Sequence, residues 1–183
     1  MKRFLSSILE VVEIALIAVV SVFLIRSFLI QPFLVSGDSM SPNFSNGDYL
    51  LVDELTYKFR SPERGEVVVF RYPQDESTYF IKRIIGLPGE TVKISSDQVS
   101  VFETQGDKEI PLDERDYLPL ETITSGNETV ALGENQYFVL GDNRSYSFDS
   151  RSWGILEFDE IVGVARIRLW PINSLKAFAA PNY

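Results

Sequence analysis

The sequence predicts a mostly β fold, an antiparallel sheet domain set behind one N-terminal transmembrane helix, and three observations carry that expectation. The only long apolar run lies near the N-terminus, from Ile8 to Ile30. After Pro32 the apolar residues fall into short runs, such as Tyr49-Leu50-Leu51-Val52-Asp53 and Glu66-Val67-Val68-Val69-Phe70, separated by Gly, Pro and Asp turns. Short strands punctuated in this way favour an antiparallel architecture over βαβ units. Finally, a polar, acidic stretch interrupts the core signal over about 91–134 and reads as a small inserted β excursion.

Composition narrows the function classes. At 183 residues the chain is long enough for one domain with a sizeable core. A formal charge of −9 argues against a nucleic-acid partner, which would need a basic patch or stripe. With no cysteine there are no disulfides, thiolate metal sites or thiol nucleophile, and with no histidine as well a catalytic zinc lacks its usual ligands. No metal and no cofactor is expected.

The apolar run is interrupted by Glu10, Glu13, Ser21, Arg26 and Ser27. A bilayer core of about 30 Å needs about 20 apolar residues, so Val11 to Ile30 is just long enough to span. Lys2 and Arg3 precede the run, and after Arg26 the next basic residue is Lys58. The positive-inside rule therefore places the N-terminus in the cytoplasm and the chain after Gln31 outside. A cleaved signal peptide shares the charged start. The run is longer than a typical signal core, however, and Ser27-Phe28-Leu29-Ile30-Gln31-Pro32-Phe33 offers only bulky residues at its end, so a retained anchor is favoured.

Directly behind it comes Ser36-Gly37-Asp38-Ser39-Met40-Ser41-Pro42, where Ser39 is a candidate nucleophile held at a membrane surface. A serine oxygen needs a base within hydrogen-bond reach. Without histidine the Ser-His-Asp arrangement is excluded, leaving a lysine or a carboxylate; a Ser/Gly-rich turn without chemistry reads the same residues. The later strand Thr78-Tyr79-Phe80-Ile81-Lys82-Arg83-Ile84-Ile85 puts Phe80, Lys82 and Ile84 on one face and Ile81, Arg83 and Ile85 on the other. A lysine packed between apolar neighbours loses solvation, which disfavours its charged form. Bringing its amine from about 10.4 into the useful range near 7 to 8 corresponds to roughly 4 kcal/mol. Lys82 is thus a candidate neutral-amine base for Ser39, the alternative being a solvated edge lysine.

Thr91-Val92-Lys93-Ile94 and Val99-Ser100-Val101-Phe102 flank a turn and predict a hairpin, while the polar stretch from Glu103 to Asn127 suggests no chemistry. The core signal resumes with the strand Gln136-Tyr137-Phe138-Val139-Leu140. Gly141-Asp142-Asn143-Arg144 through Trp153-Gly154 then packs two Asp, two Arg and four Ser into a turn-rich segment able to support a site from behind. Ile161 to Pro171 supplies a closing strand, with Trp170 expected in the core.

Four motifs in this order, after an N-terminal anchor, resemble the bacterial type I signal peptidases, membrane-anchored serine/lysine proteases. They are Ser-Gly-Asp-Ser-Met-x-Pro, Gly47-Asp48-Tyr49 with Arg64-Gly65-Glu66-Val67-Val68-Val69-Phe70, Phe80-Ile81-Lys82-Arg83-Ile84-Ile85-Gly86-Leu87-Pro88-Gly89, and Gly141-Asp142-Asn143-Arg144 through Trp153-Gly154. The resemblance covers nearly the whole chain. It implies a barrel-like antiparallel catalytic domain built from 32–90 and 135–183, an anchor in 1–31 and an inserted subdomain in 91–134. It further implies that Ser39 attacks the scissile carbonyl, that Lys82 is the general base, and that Ser147 orients the amine. Asp142 would pair with Arg83 and Asp149 with Arg151, and the Ser39 N–H would serve the oxyanion hole. Gly37 stands where some relatives have a serine that completes that hole, and Asn43 stands where threonine is common. Phe33, Val35, Ile81 and Ile84 are expected wall residues of shallow pockets for small side chains. The implied partners are preproteins bearing signal peptides and the lipid bilayer, the implied location is the bacterial cytoplasmic membrane, and the implied reaction is cleavage after a small-x-small site. A processing peptidase dedicated to one surface or pilin-like precursor, and a tethered β domain that binds without catalysis, are the other readings.

Overall fold

The computed structural model describes residues 10–21, 30–95, 97–102 and 108–181. Residues 10–21 form a helix, α1, exposed along its length. The rest of the predicted span, 22–29, lies outside the described residues, and no helix among the described residues is long and apolar enough to cross a membrane.

Twelve strands follow among the described residues: β1 (Ile30–Leu34), β2 (Tyr49–Asp53), β3 (Val67–Tyr72), β4 (Asp75–Gly86), β5 (Thr91–Ser95), β6 (Gln98–Phe102), β7 (Glu109–Pro111), β8 (Glu128–Ala131), β9 (Gln136–Leu140), β10 (Leu156–Glu157), β11 (Ile161–Trp170) and β12 (Lys176–Ala177). A short helix, α2 (Ser150–Trp153), stands between β9 and β10. The larger sheet runs β1-β2-β11-β3-β4-β9-β10, with β12 added to β11, and the smaller runs β7-β6-β5-β8. Every pairing is antiparallel.

Alternation explains the half-buried strands. In β2, Leu50 and Val52 are fully buried while their neighbours face outward. In β3, by contrast, Val67 to Phe70 are buried in succession, as a central strand covered on both faces requires. The apolar side chains gather in three clusters. One, around Ile85, Val92, Val101 and Phe138, joins the two sheets; a second, around Met40, Phe44 and Leu50, lies under the serine stretch; the third holds Val68, Phe70, Ile84 and Val139.

The pairing of β4 positions the site. Against β3 it runs from Asp75 to Arg83, but against β9 only from Arg83 to Gly86. Among the described residues no strand pairs with the second edge of Tyr79–Lys82. The sheet also curls enough for its end strand β1 to approach β4, where the Phe33 and Tyr79 rings stand 5.5 Å apart.

Two expectations are corrected. Ile84 shares the Lys82 face but lies two residues deeper, where β9 covers the strand; it is fully buried against Phe70 and Val139 and walls no cleft. Trp170, at the end of β11 beyond the buried stretch Gly163–Ala165, is 57% exposed and not a core residue.

Candidate active site

Ser39 sits in a tight turn anchored by its neighbours. Met40 and Phe44 plunge into the core, Ser41 N–H donates to the Asp38 carbonyl at 3.1 Å and Phe44 N–H to the Met40 carbonyl at 2.9 Å. The loop after β9 grips the same turn from the far side: Asn143 donates through its N–H to the Ser39 carbonyl and through its side-chain amide to the Asp38 carbonyl, both at 3.0 Å. A side chain on Gly141 would strike this junction, since an added Cβ would lie 2.1 Å from Ser147 Oγ and 2.4 Å from the Ser39 carbonyl oxygen.

Lys82 reaches the turn from the open half of β4. Its Nζ lies 2.8 Å from Ser39 Oγ and donates to the Ile81 carbonyl at 2.9 Å. The side chain is 3% exposed, and burial pulls its amine down from 10.5 to about 8, against the opposing pull of the Asp149 and Asp142 carboxylates. A neutral amine in contact with a hydroxyl is the arrangement that general-base activation of a serine needs.

Behind this contact stand two buried ion pairs. Arg83 forks onto Asp142 at 2.8 and 2.6 Å and donates to the Gly65 carbonyl at 2.8 Å. Asn43 adds a bond to Asp142 at 2.9 Å. Arg151 forks onto Asp149 at 2.8 Å through both nitrogens, and Asp149 also accepts from the Gly141 N–H at 3.0 Å and caps α2. Planar guanidinium and carboxylate groups in such fork contacts fix orientation as well as charge.

The other expected residues divide. Phe33, Val35 and Ile81 line a cleft of about 330 Å³ together with Ser39 and Lys82. The expected hydrogen bond from Ser147 to the lysine is not formed: among the described residues Ser147 Oγ is buried without a partner, while the amine contacts Ser39 and the Ile81 carbonyl. Gly37 spends its N–H on the Asn46 side chain at 3.0 Å and is no oxyanion donor in this geometry. Among the described residues no acceptor takes the Ser39 N–H. Sequence reasoning missed Phe80, Tyr146 and Phe148, which also line the cleft, and Tyr117, whose ring lies 4.0 Å from the Arg83 guanidinium. The spacing of Tyr146 and Phe148 around Ser147 was the available signal for those two, and the face shared with Lys82 was the signal for Phe80.

The chain matches the family model described as "Signal peptidase, peptidase S26" over residues 8–170. The chain belongs to that family. Among its relatives, a "Signal peptidase I P" of Bacillus subtilis subsp. natto is 33% identical over 180 residues, covering 96% of each chain. A "Probable signal peptidase I-2" of Synechocystis sp. is 36% identical over 90% of this chain and 74% of its own. A crystal structure of a signal peptidase I from Enterococcus faecalis aligns with 28% identity and a TM-score of 0.47 over 57% of this chain and 97% of that one. The peptidase S26 match spans α1, every strand of both sheets except β12, and every residue of the Ser39–Lys82 site described above.

Proposed function

We propose that this chain is a membrane-anchored signal peptidase I, cutting signal peptides from exported preproteins after a small-x-small site. The observation that carries this reading is the 2.8 Å contact between a buried, easily deprotonated Lys82 amine and Ser39 Oγ. The Ser39 hydroxyl donates its proton to the Nζ lone pair as Oγ attacks the scissile carbonyl. The Lys82 ammonium then protonates the leaving amine; the neutral lysine next takes a proton from the water that attacks the acyl-enzyme and returns it to Ser39 Oγ as the ester bond breaks. The Ser39 N–H supplies an oxyanion donor, and Ser147 Oγ is a ready partner for the ammonium in that charged stage.

The substrate adds as an extended strand. The unpaired edge of Tyr79–Lys82 offers main-chain partners, and Val35 and Ile81 give the cleft shallow apolar walls suited to small side chains. Residues 1–31 are the anchor, with the N-terminus cytoplasmic; 32–90 and 135–183 form the catalytic domain; 91–134 is an inserted subdomain. The apolar run from Val11 to Ile30 and the Lys2-Arg3 start support a single-pass location in the bacterial cytoplasmic membrane.

The test incubates the full chain in detergent with a precursor bearing an Ala-x-Ala site and sequences the new N-terminus of the product. Cleavage after the second alanine is expected, lost in Ser39→Ala and in Lys82→Ala while both remain folded. Normal processing by either variant refutes the assignment, and cleavage confined to one precursor type favours the dedicated peptidase instead.

A further inference from the structure

We propose that Tyr117 and Glu114, in the segment between β7 and β8 of the smaller sheet, are positioning residues for the Ser39–Lys82 pair. This rests on the reading that these two groups carry the reaction. The segment has no residue in the cleft, yet it reaches the support of the site at several points, Thr124 on Arg144 and the Ser125 carbonyl on Arg151 among them. The Tyr117 ring lies against the Arg83 guanidinium, with the ring centre 4.0 Å away. The Tyr117 carbonyl accepts from Asn43 at 2.7 Å, and the same Asn43 amide bonds Asp142 at 2.9 Å. Glu114 clamps Arg144 with its two oxygens at 2.5 and 2.9 Å, and Tyr117 O–H donates to Glu114 at 2.6 Å.

Each point leads back to the reacting atoms in one or two steps. Arg83 follows Lys82 in β4 and neutralises Asp142. Arg144, whose side chain is 1% exposed, donates through Nε to the Gly141 carbonyl at 3.1 Å, beside the glycine packed against Ser147 and the Ser39 carbonyl. A guanidinium held by Asp142, the Gly65 carbonyl and an aromatic face has little room to turn. Without the ring it gains that room, and Asp142 is less completely neutralised.

The charges bearing on the Lys82 amine are Asp142 and Asp149, with Arg83 and Arg151 as their partners and Arg144 with Glu114 behind them. A less neutralised Asp142 favours the ammonium. The acid limb of the activity profile then moves to higher pH, and misplacement of the dyad lowers kcat more than it changes KM.

The experiment measures cleavage of an Ala-x-Ala peptide by the full chain in detergent across pH, for wild type, Ser39→Ala, Tyr117→Leu, Tyr117→Phe and Glu114→Gln. Tyr117→Leu is expected to lose at least about tenfold in kcat with KM within about twofold, and to move the acid limb up by about half a pH unit. Tyr117→Phe keeps the ring and is expected to stay within about threefold of wild type. Glu114→Gln repeats the loss in kcat more weakly, and carries the test should Tyr117→Leu not fold. An unmoved limb and unchanged kcat per folded molecule in Tyr117→Leu, or in Glu114→Gln in that event, overturns the inference. Cleavage by Ser39→Ala overturns the reading of the dyad instead, so the two failures are distinguishable.

Discussion

Replacing Lys82 by methionine keeps an unbranched side chain of comparable length and removes the amine, and it is expected both to abolish cleavage and to change how stability depends on pH. The folded chain holds this amine at about 8 and the unfolded chain near its ordinary 10.5. At about 1.4 kcal/mol for each tenfold, burial of Lys82 therefore costs the fold about 3 kcal/mol. Below about 8 both states are protonated and the cost is present in full. Between about 8 and 10.5 the unfolded chain holds a proton that the folded chain has released, so wild-type stability climbs with pH; above 10.5 both are neutral and the cost is gone. Methionine removes that cost but forfeits the bonds to Ser39 and the Ile81 carbonyl, worth about 1 kcal/mol each. The variant should be more stable than wild type by about 1 kcal/mol at pH 7, and the difference should fall by about 3 kcal/mol as pH rises to 11. Denaturant unfolding of both proteins in matched detergent, followed by tryptophan fluorescence, measures it. A difference that stays constant with pH would refute the reasoning.

Further outcomes follow from the same geometry. With the Lys82 amine near 8, only about a tenth is neutral at pH 7, so kcat/KM should rise about tenfold per pH unit from 6 and level off above 8; a flat profile from pH 6 to 9 contradicts a lysine base. Gly141→Ala places a methyl 2.1 Å from Ser147 Oγ and 2.4 Å from the Ser39 carbonyl oxygen, and should cut kcat by more than about 100-fold with the circular dichroism of the sheet intact. Asp142→Asn leaves the buried Arg83 cation without its counter-charge and should lower stability by about 3 to 5 kcal/mol, read by denaturant unfolding.

How much of this was legible in the sequence depends on how local each signal is. The strand limits of β2 and β9 and the opposed environments of Lys82 and Arg83 follow from alternation and turn residues, which are short-range. Alternation gives a face but not a depth, so the Lys82 face assigned to Ile84 did not reveal that β9 covers the strand there. β7 and β8 were hidden because Glu109–Pro111 and Glu128–Ala131 bury little and carry no run of apolar residues. Trp170 looked like core because tryptophan usually is, yet it lies past the covered part of β11. The contacts of Tyr117 with Asn43 and of Glu114 with Arg144 join residues 74 and 30 apart, and nothing local announces them.

Lys82 and Arg83 are chain neighbours whose side chains leave the strand in opposite directions. One can give up its proton and touches the serine; the other is permanently charged and faces a carboxylate. A shift of β4 by a single position would exchange them, offering the serine a cation unable to act as a base and leaving the carboxylate a weaker, point-like partner. The reaction is thus guarded by parity: displacements of the strand that swap odd for even silence the chemistry outright, even where the sheet itself would tolerate them.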